Sequence, residues 1–171
     1  NKVRQMKSEG IDVISLTLGE PDFDVPQNIK EAAFEAINNN FSHYSPVPGF
    51  LDLREAVCEK LKRDNNLEYS AAQICVSNGA KQAILNVLSS IINDGDEVIL
   101  PAPYWVSYDE MVKMMGGKSV FVKTSIDTEF KITAEQLEQA ITPKTKALLY
   151  SSPCNPSGSY YTYEELEGIA N

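Results

Sequence analysis

Residues Ile74–Ala83 read ICVSNGAKQA, and the interpretation of this stretch decides the fold. Ile74–Ser77 is a short apolar run with two β-branched residues, which predicts a buried strand. Gly79 breaks it. From Lys81 to Ile92 (KQAILNVLSSII) apolar residues recur at helical spacing, at Ala83, Ile84, Val87, Leu88 and Ile91. The unit is strand, small-residue turn, helix. The first turn of a helix carries backbone N–H groups with no partner inside the helix, and the helix dipole adds roughly half a positive charge there. Gly79 and Ala80 allow an anion close to that backbone, and Lys81 adds a full charge. The turn therefore reads as a phosphate site. The plain alternative is a strand-to-helix turn without a ligand.

The totals narrow the function. A chain of 171 residues can build one sizeable core, or one core and part of another. Hydrophobic residues at 43% and charged residues at 23% suit a soluble globular protein. A net charge of −9 argues against nucleic acid or an anionic membrane as partner, since both select basic patches. A phosphate held by so acidic a chain must be held by local geometry. No apolar run is long enough to cross a bilayer, and Asn1–Gly10 has no signal-peptide pattern. Cys58, Cys75 and Cys154 form neither a disulfide framework nor a zinc spacing, so reduced thiols in a cytoplasmic protein are expected, with no metal. His43 is the single histidine, and nothing around it suggests a Ser–His–Asp relay. The start without Met and the end within a helical pattern lead to the expectation of a piece of a longer protein.

Along the chain, Asn1–Glu9 reads as the end of a helix closed by Gly10, and Val13–Leu18 as a strand. Gly19–Pro26 (GEPDFDVP) is a turn-rich linker. Helical patterns cover Gln27–Asn38 and Leu51–Arg63, separated by a stiff ordered loop, Phe41–Phe50. Ser70 is a candidate N-cap. Further strands are expected at Glu97–Leu100, stopped by Pro101–Pro103, at Ser119–Val122 and at Lys146–Ser151. Between them lie helices at Tyr104–Met115, closed by Gly116 and Gly117, and at Ala134–Ile141, capped by Thr133 with Gln136 three residues on. A last helix begins at Tyr163. Alternating strands and helices predict an α/β fold with a mostly parallel sheet covered on both faces. Ligands of such sheets sit beyond the carboxyl ends of the strands. Three connectors leave such ends, Asn78–Lys81, Pro101–Trp105 and Ser152–Gly158, and they should converge on one site.

Two of these connectors carry side chains suited to a flat, oxygen-bearing ligand. Trp105, the single tryptophan, offers either core filling or a stacking face for a ring. Asn155 lies between prolines, where its amide either donates to a ligand oxygen or holds its own turn.

Five motifs occur in order over nearly the whole chain: GEPDF at Gly19–Phe23, YSPVPGFLDLR at Tyr44–Arg54, SNGAKQA at Ser77–Ala83, PAPYWVSY at Pro101–Tyr108 and SSPCNPSG at Ser151–Gly158. Together they resemble the fold-type-I pyridoxal-phosphate aminotransferases, in particular the bacterial class-I aspartate aminotransferase branch. The resemblance implies a three-layer αβα large domain over residues 28–171, truncated, and an N-terminal segment of the small domain over residues 1–27. It implies pyridoxal 5'-phosphate as cofactor. Gly79, Ala80 and Lys81 would hold its phosphate, Trp105 would stack on its ring, and Asn155 would bond its ring hydroxyl oxygen. Gly19 would meet the substrate carboxylate through its backbone, with Trp105 and Asn155 also lining the substrate. Tyr44 would reach the phosphate of a neighbouring subunit, making the functional unit a homodimer with shared sites. Three departures are mild: Ser157 and Cys154 stand where many relatives carry threonine and asparagine, and Ala80 where some carry glycine.

The resemblance also implies what these residues lack. The family's lysine that forms the Schiff base, its aspartate at the pyridine nitrogen and its substrate-binding arginines match nothing here; Lys81, Lys144 and Lys146 do not take the lysine's place. The expectation is an amino-group transfer between L-aspartate, or a similar amino acid, and 2-oxoglutarate, in a cytoplasmic enzyme of amino-acid biosynthesis, with the 171 residues inactive on their own. Alternatives on the same scaffold are an aromatic or prephenate aminotransferase, a C–S lyase or a decarboxylase. A nucleotide- or phosphosugar-binding module would want an acidic residue about 20 positions after the glycine turn; Asp94 and Asp96 fall there, but in a turn and without G-x-G-x-x-G. A catalytically dead transcription-factor relative would need a DNA-binding module that is not visible.

Overall fold

The computed structural model describes residues 2–14, 19 and 21–171. The chain divides into two compact units, Asn1–Ser45 and Pro46–Asn171.

The first unit holds two helices, α1 (Lys2–Ser8) and α2 (Gln27–Asn38). Gly10 closes α1 with φ +78°, as its place in the sequence requires. Asn40 takes the left-handed conformation after α2. The helix pattern of α2 is correct, yet none of its residues is buried, and Phe34 and Ile37 are exposed. Of the strand expected at 13–18, residues 15–18 lie outside the described residues, and Val13 and Ile14 join no ladder.

The second unit is organised by β1 (Glu97–Ala102), whose Val98, Ile99 and Leu100 are completely buried. A strand with apolar residues on both faces is stable only between two layers. β2 (Lys118–Lys123) and β3 (Thr145–Leu148) flank it in the order β2-β1-β3, all parallel. Val98 and Leu100 face one layer, built from α4 (Gly79–Ile91) and α5 (Ser107–Met114) through Leu88, Ile92, Tyr108, Met111 and Val112. Ile99 faces the other, built from α6 (Ala134–Ala140) and α7 (Tyr163–Ala170) through Ile132, Leu137, Tyr161, Leu166 and Ile169. The three-layer αβα arrangement is therefore present. α3 (Leu51–Asn65) precedes it and buries none of its residues. Thr133 caps α6 as expected, its hydroxyl accepting from the Gln136 N–H at 3.3 Å while the Gln136 carboxamide oxygen accepts from the Thr133 N–H at 3.1 Å.

Five expectations are corrected. Among the described residues, the segment 74–77 joins no ladder: it is extended, held by backbone bonds from Ile74 N–H to the Ala71 carbonyl at 3.3 Å and from Val76 N–H to the Pro48 carbonyl at 3.0 Å, and Val76 is partly exposed. An apolar β-branched run becomes a strand only when another strand lies alongside it. The apolar stripe of α4 is also rotated, with Ile84, Leu85, Leu88 and the following Ile92 packed inward while Val87 and Ile91 stay exposed. Prolines 101 and 103 do not both end β1, which runs through Pro101. In the register of β1, Ile99 faces β3, accepting from Leu149 N–H, and Ala102 faces β2, accepting from Thr124 N–H. Pro101 therefore points its missing donor toward β3, where the paired residues stop at Ile99 and Leu148. Finally, α5 starts at Ser107, so Tyr104 and Trp105 belong to the connector, and β3 ends at Leu148, short of Ser151.

Candidate active site at the rim of the sheet

The turn before α4 is open. Gly79 has φ +78°, and a Cβ placed on it would meet nothing within 4 Å. The Gln82 carboxamide oxygen accepts from the Asn78 N–H and the Ser77 carbonyl accepts from the Gly79 N–H, so the turn is held from behind while its outer face stays clear. Ala80 and Lys81 follow, both exposed, in the first turn of a helix of 13 residues. That combination of clear backbone, helix N-terminus and adjacent cation suits an anion.

Trp105 comes to the same place from the end of β1. The Lys81 Nζ lies 5.3 Å from the centre of the Trp105 ring. Trp105 is half-buried: Tyr108 packs edge-on against it, with ring centres 5.5 Å apart and an interplanar angle of 89°, and it rests on the α4–α5 core. The indole is thus braced on one side rather than sealed in the interior. Tyr104 beside it stacks on Phe121 at 5.5 Å and 11°. Burial, and then the negative charge of Asp109, hold the Tyr104 phenol above its ordinary range. The Lys113 ammonium, bonded to Asp109 at 2.7 Å, holds that carboxyl below its ordinary range.

The third connector, residues 152–158, is joined to the second through Cys154, whose Sγ donates to the Pro103 carbonyl at 3.7 Å. Within it, Gly158 N–H donates to the Cys154 carbonyl and Cys154 N–H to the Ser159 carbonyl, both at 2.7 Å. Asn155 donates its backbone N–H to Ser151 Oγ at 3.2 Å and is itself exposed. Two linkages, Lys81 with Trp105 and Cys154 with Pro103, therefore bring the three connectors to one rim. The first connector enters it from the extended segment 74–77 rather than from a strand of the sheet.

Gly19 and Tyr44 belong to the first unit. Both are exposed, Tyr44 completely, and no Cβ contact surrounds Gly19. Tyr104, which stacks on Phe121, and Tyr108, which braces Trp105, stand at the site beside the residues the sequence singles out. Their place in PAPYWVSY, one residue before and three after Trp105, is the signal that identifies them. A pocket lined by Pro103, Tyr104, Ser151, Cys154 and Tyr161 holds only about 10 Å³, room for one water at most and too little for a ring. Among the described residues no His, Cys, Asp and Glu cluster could hold a metal ion.

A family model described as Aminotransferase class I and II matches residues 11–171. The chain belongs to the class I and II aminotransferases. Among curated members, the aspartate aminotransferase of Bacillus sp. strain YM-2 is 51% identical over 169 residues, which cover 99% of this chain and 43% of that protein. The probable aspartate/prephenate aminotransferase of Rickettsia bellii is also 51% identical, over 99% of this chain and 42% of that protein. The chain thus spans somewhat under half the length of these aminotransferases. Of solved structures, Thermus thermophilus aspartate aminotransferase with maleate superimposes at a TM-score of 0.94 with 44% identity, over 99% of this chain and 44% of its own. The Rhizobium meliloti aspartate aminotransferase does so at 0.93 with 41% identity, over 99% and 42%. Among the described residues, no helix of this aminotransferase chain is long and apolar enough to cross a membrane.

Proposed function

We propose that the intact protein transfers an amino group between L-aspartate, or a similar amino acid, and 2-oxoglutarate with pyridoxal 5'-phosphate as cofactor. The observation that carries this reading is the approach of Lys81 to the Trp105 ring beside the open Gly79 turn, in a chain of this family. An anion-binding backbone next to a stacking ring fits a phosphorylated aromatic molecule. When bound, that cofactor supplies a conjugated ring that withdraws electrons from the α-carbon of the amino acid.

The chain's own residues bind and orient. Gly79, Ala80 and Lys81 hold the phosphate, Gly79 by leaving room for its approach, Ala80 and Lys81 by their backbone amides, and Lys81 by its full charge as well. Trp105, braced by Tyr108, presents a flat face and keeps water off one side of the ring. Asn155 donates a side-chain hydrogen bond to the ring hydroxyl oxygen. Gly19 meets the substrate carboxylate, and Tyr44 completes the phosphate site of the second copy in a cytoplasmic homodimer. The domain boundary falls near residue 27, with the large domain over 28–171. The lysine that joins the cofactor is not among these residues, so the 171-residue chain alone does not turn over. The name of the Rickettsia bellii relative favours prephenate as a second amino-group acceptor.

The test is reconstitution of the intact protein with pyridoxal phosphate. Visible absorption by the bound cofactor and amino transfer from L-aspartate to 2-oxoglutarate are expected. Failure to bind the cofactor overturns the reading; binding with transfer only from aromatic amino acids corrects the substrate. Turnover by residues 1–171 alone would overturn the expectation of inactivity.

A further inference from the structure

We propose that Arg54 is a positioning residue for the phosphate-binding turn at 79–81, a role that rests on the reading of that turn given above. Among the described residues no strand lies alongside the extended segment 74–77 that delivers the turn. Arg54, in the first turn of α3, reaches both ends of what holds it instead.

Arg54 Nη1 donates to the Ala71 carbonyl at 2.6 Å. That carbonyl also accepts from Ile74 N–H at 3.3 Å, so it anchors the first residue of the segment. Arg54 Nε donates to the Gly49 carbonyl at 3.1 Å. Gly49 follows Pro48, whose carbonyl accepts from Val76 N–H at 3.0 Å, a backbone bond in the middle of the segment. Gly49 also lies hard against Val76: with φ +97°, a Cβ there would stand 2.7 Å from Val76 Cγ2. One planar guanidinium therefore fixes the bend at 46–49 and the one-turn 3-10 helix Ala71–Gln73, and these two clamp Ile74 and Val76. Gly79 is three residues further on. Lysine has a single ammonium and cannot span two carbonyls in this fork geometry.

The experiment uses the intact protein and two ligands, pyridoxal 5'-phosphate and pyridoxal, which differ only in the phosphate. Dissociation constants are measured for the wild type, Arg54→Lys and Arg54→Met. The wild type is expected to prefer the phosphorylated ligand. In both variants that affinity falls about tenfold while pyridoxal affinity changes little, because a turn displaced by a fraction of an ångström spoils only the phosphate contacts. Unchanged affinity for the phosphorylated ligand, or an equal loss for both ligands, overturns the role of Arg54. A wild type that does not discriminate the two ligands overturns the reading of the turn itself, and the role of Arg54 with it.

Hydrogen exchange on the wild type provides a measure that does not depend on the variants folding. Pyridoxal phosphate, and not pyridoxal, is expected to slow exchange at the Ile74 and Val76 amides. Equal exchange with both ligands overturns the coupling between the clamp and the turn.

Discussion

The Lys81 ammonium stands 5.3 Å from the centre of the Trp105 ring, joining a helix N-terminus to a strand end that is 24 residues away in sequence. The contact gives the rim a charged group and a flat surface side by side. Trp105→Ala removes the flat surface and leaves the turn in place. Loss of stacking is worth about 1 kcal/mol, so the intact protein is expected to bind pyridoxal phosphate several-fold to tenfold more weakly. Pyridoxal affinity should fall by the same factor, since the ring and not the phosphate loses its partner. Parallel titration of both ligands checks this.

Gly79 is the turn's conformational requirement. Its φ of +78° lies in the left-handed region, and nothing occupies the space a Cβ would fill. Gly79→Ala therefore carries a backbone cost without a steric one, about 1–2 kcal/mol. Gly79→Asn should cost less, because asparagine visits that region more readily. Chemical denaturation of the three proteins gives the order Gly, Asn, Ala; equal stability of Ala and Gly would contradict the geometry.

Tyr161 supports the opposite layer. Its buried hydroxyl accepts from the Ile132 N–H at 3.0 Å, and burial pushes its ionisation above the ordinary range. Tyr161→Phe keeps the ring against Tyr150 and leaves a buried N–H without its acceptor. The expected loss is about 1–3 kcal/mol, read as a lowered denaturation midpoint with little change in the denaturant slope.

Acid and alkaline stability should each respond to Lys131. Its ammonium lies 2.8 Å from Glu129 Oε2 and 2.6 Å from Glu165 Oε1. Lys131, first, and the Thr162 backbone N–H hold the Glu165 carboxyl below its ordinary 4.5. A lowered carboxyl contributes stability that is complete above 4.5 and is lost as pH falls through its folded value. Glu129, first, and Glu165 hold Lys131 above its ordinary 10.5, so that contribution is complete below 10.5 and is lost as pH rises through the folded value. Glu165→Gln is expected to flatten the acid limb of the stability profile while part of the alkaline limb survives through Glu129. An acid limb identical to wild type would remove Glu165 from the account.

Some of this was legible from residue order alone. The helix at Gln27–Asn38 has the bounds its apolar spacing predicts, and the Thr133–Gln136 capping box is present because both partners lie within one turn. The run at 97–100 announces a strand buried on both faces, and with it a covered parallel sheet. Local chemistry also marks the glycine turn at 79 and the side chains at 105 and 155 as candidates.

Other features depend on groups far apart in sequence. The segment 74–77 has every local property of a strand and joins no ladder among the described residues, because pairing needs a neighbour that local pattern does not reveal. Which residues of α4 face inward is set by the packing of the whole layer, so the stripe turned to Leu85 and Ile92 and away from Val87 and Ile91. Arg54 reads as an ordinary helix-surface cation until Gly49 and Ala71 are seen to share its guanidinium. Short-range spacing determined the elements and the turn chemistry of this chain. Tertiary structure alone decided which of them meet, because contacts between distant residues depend on the layers that bring them together.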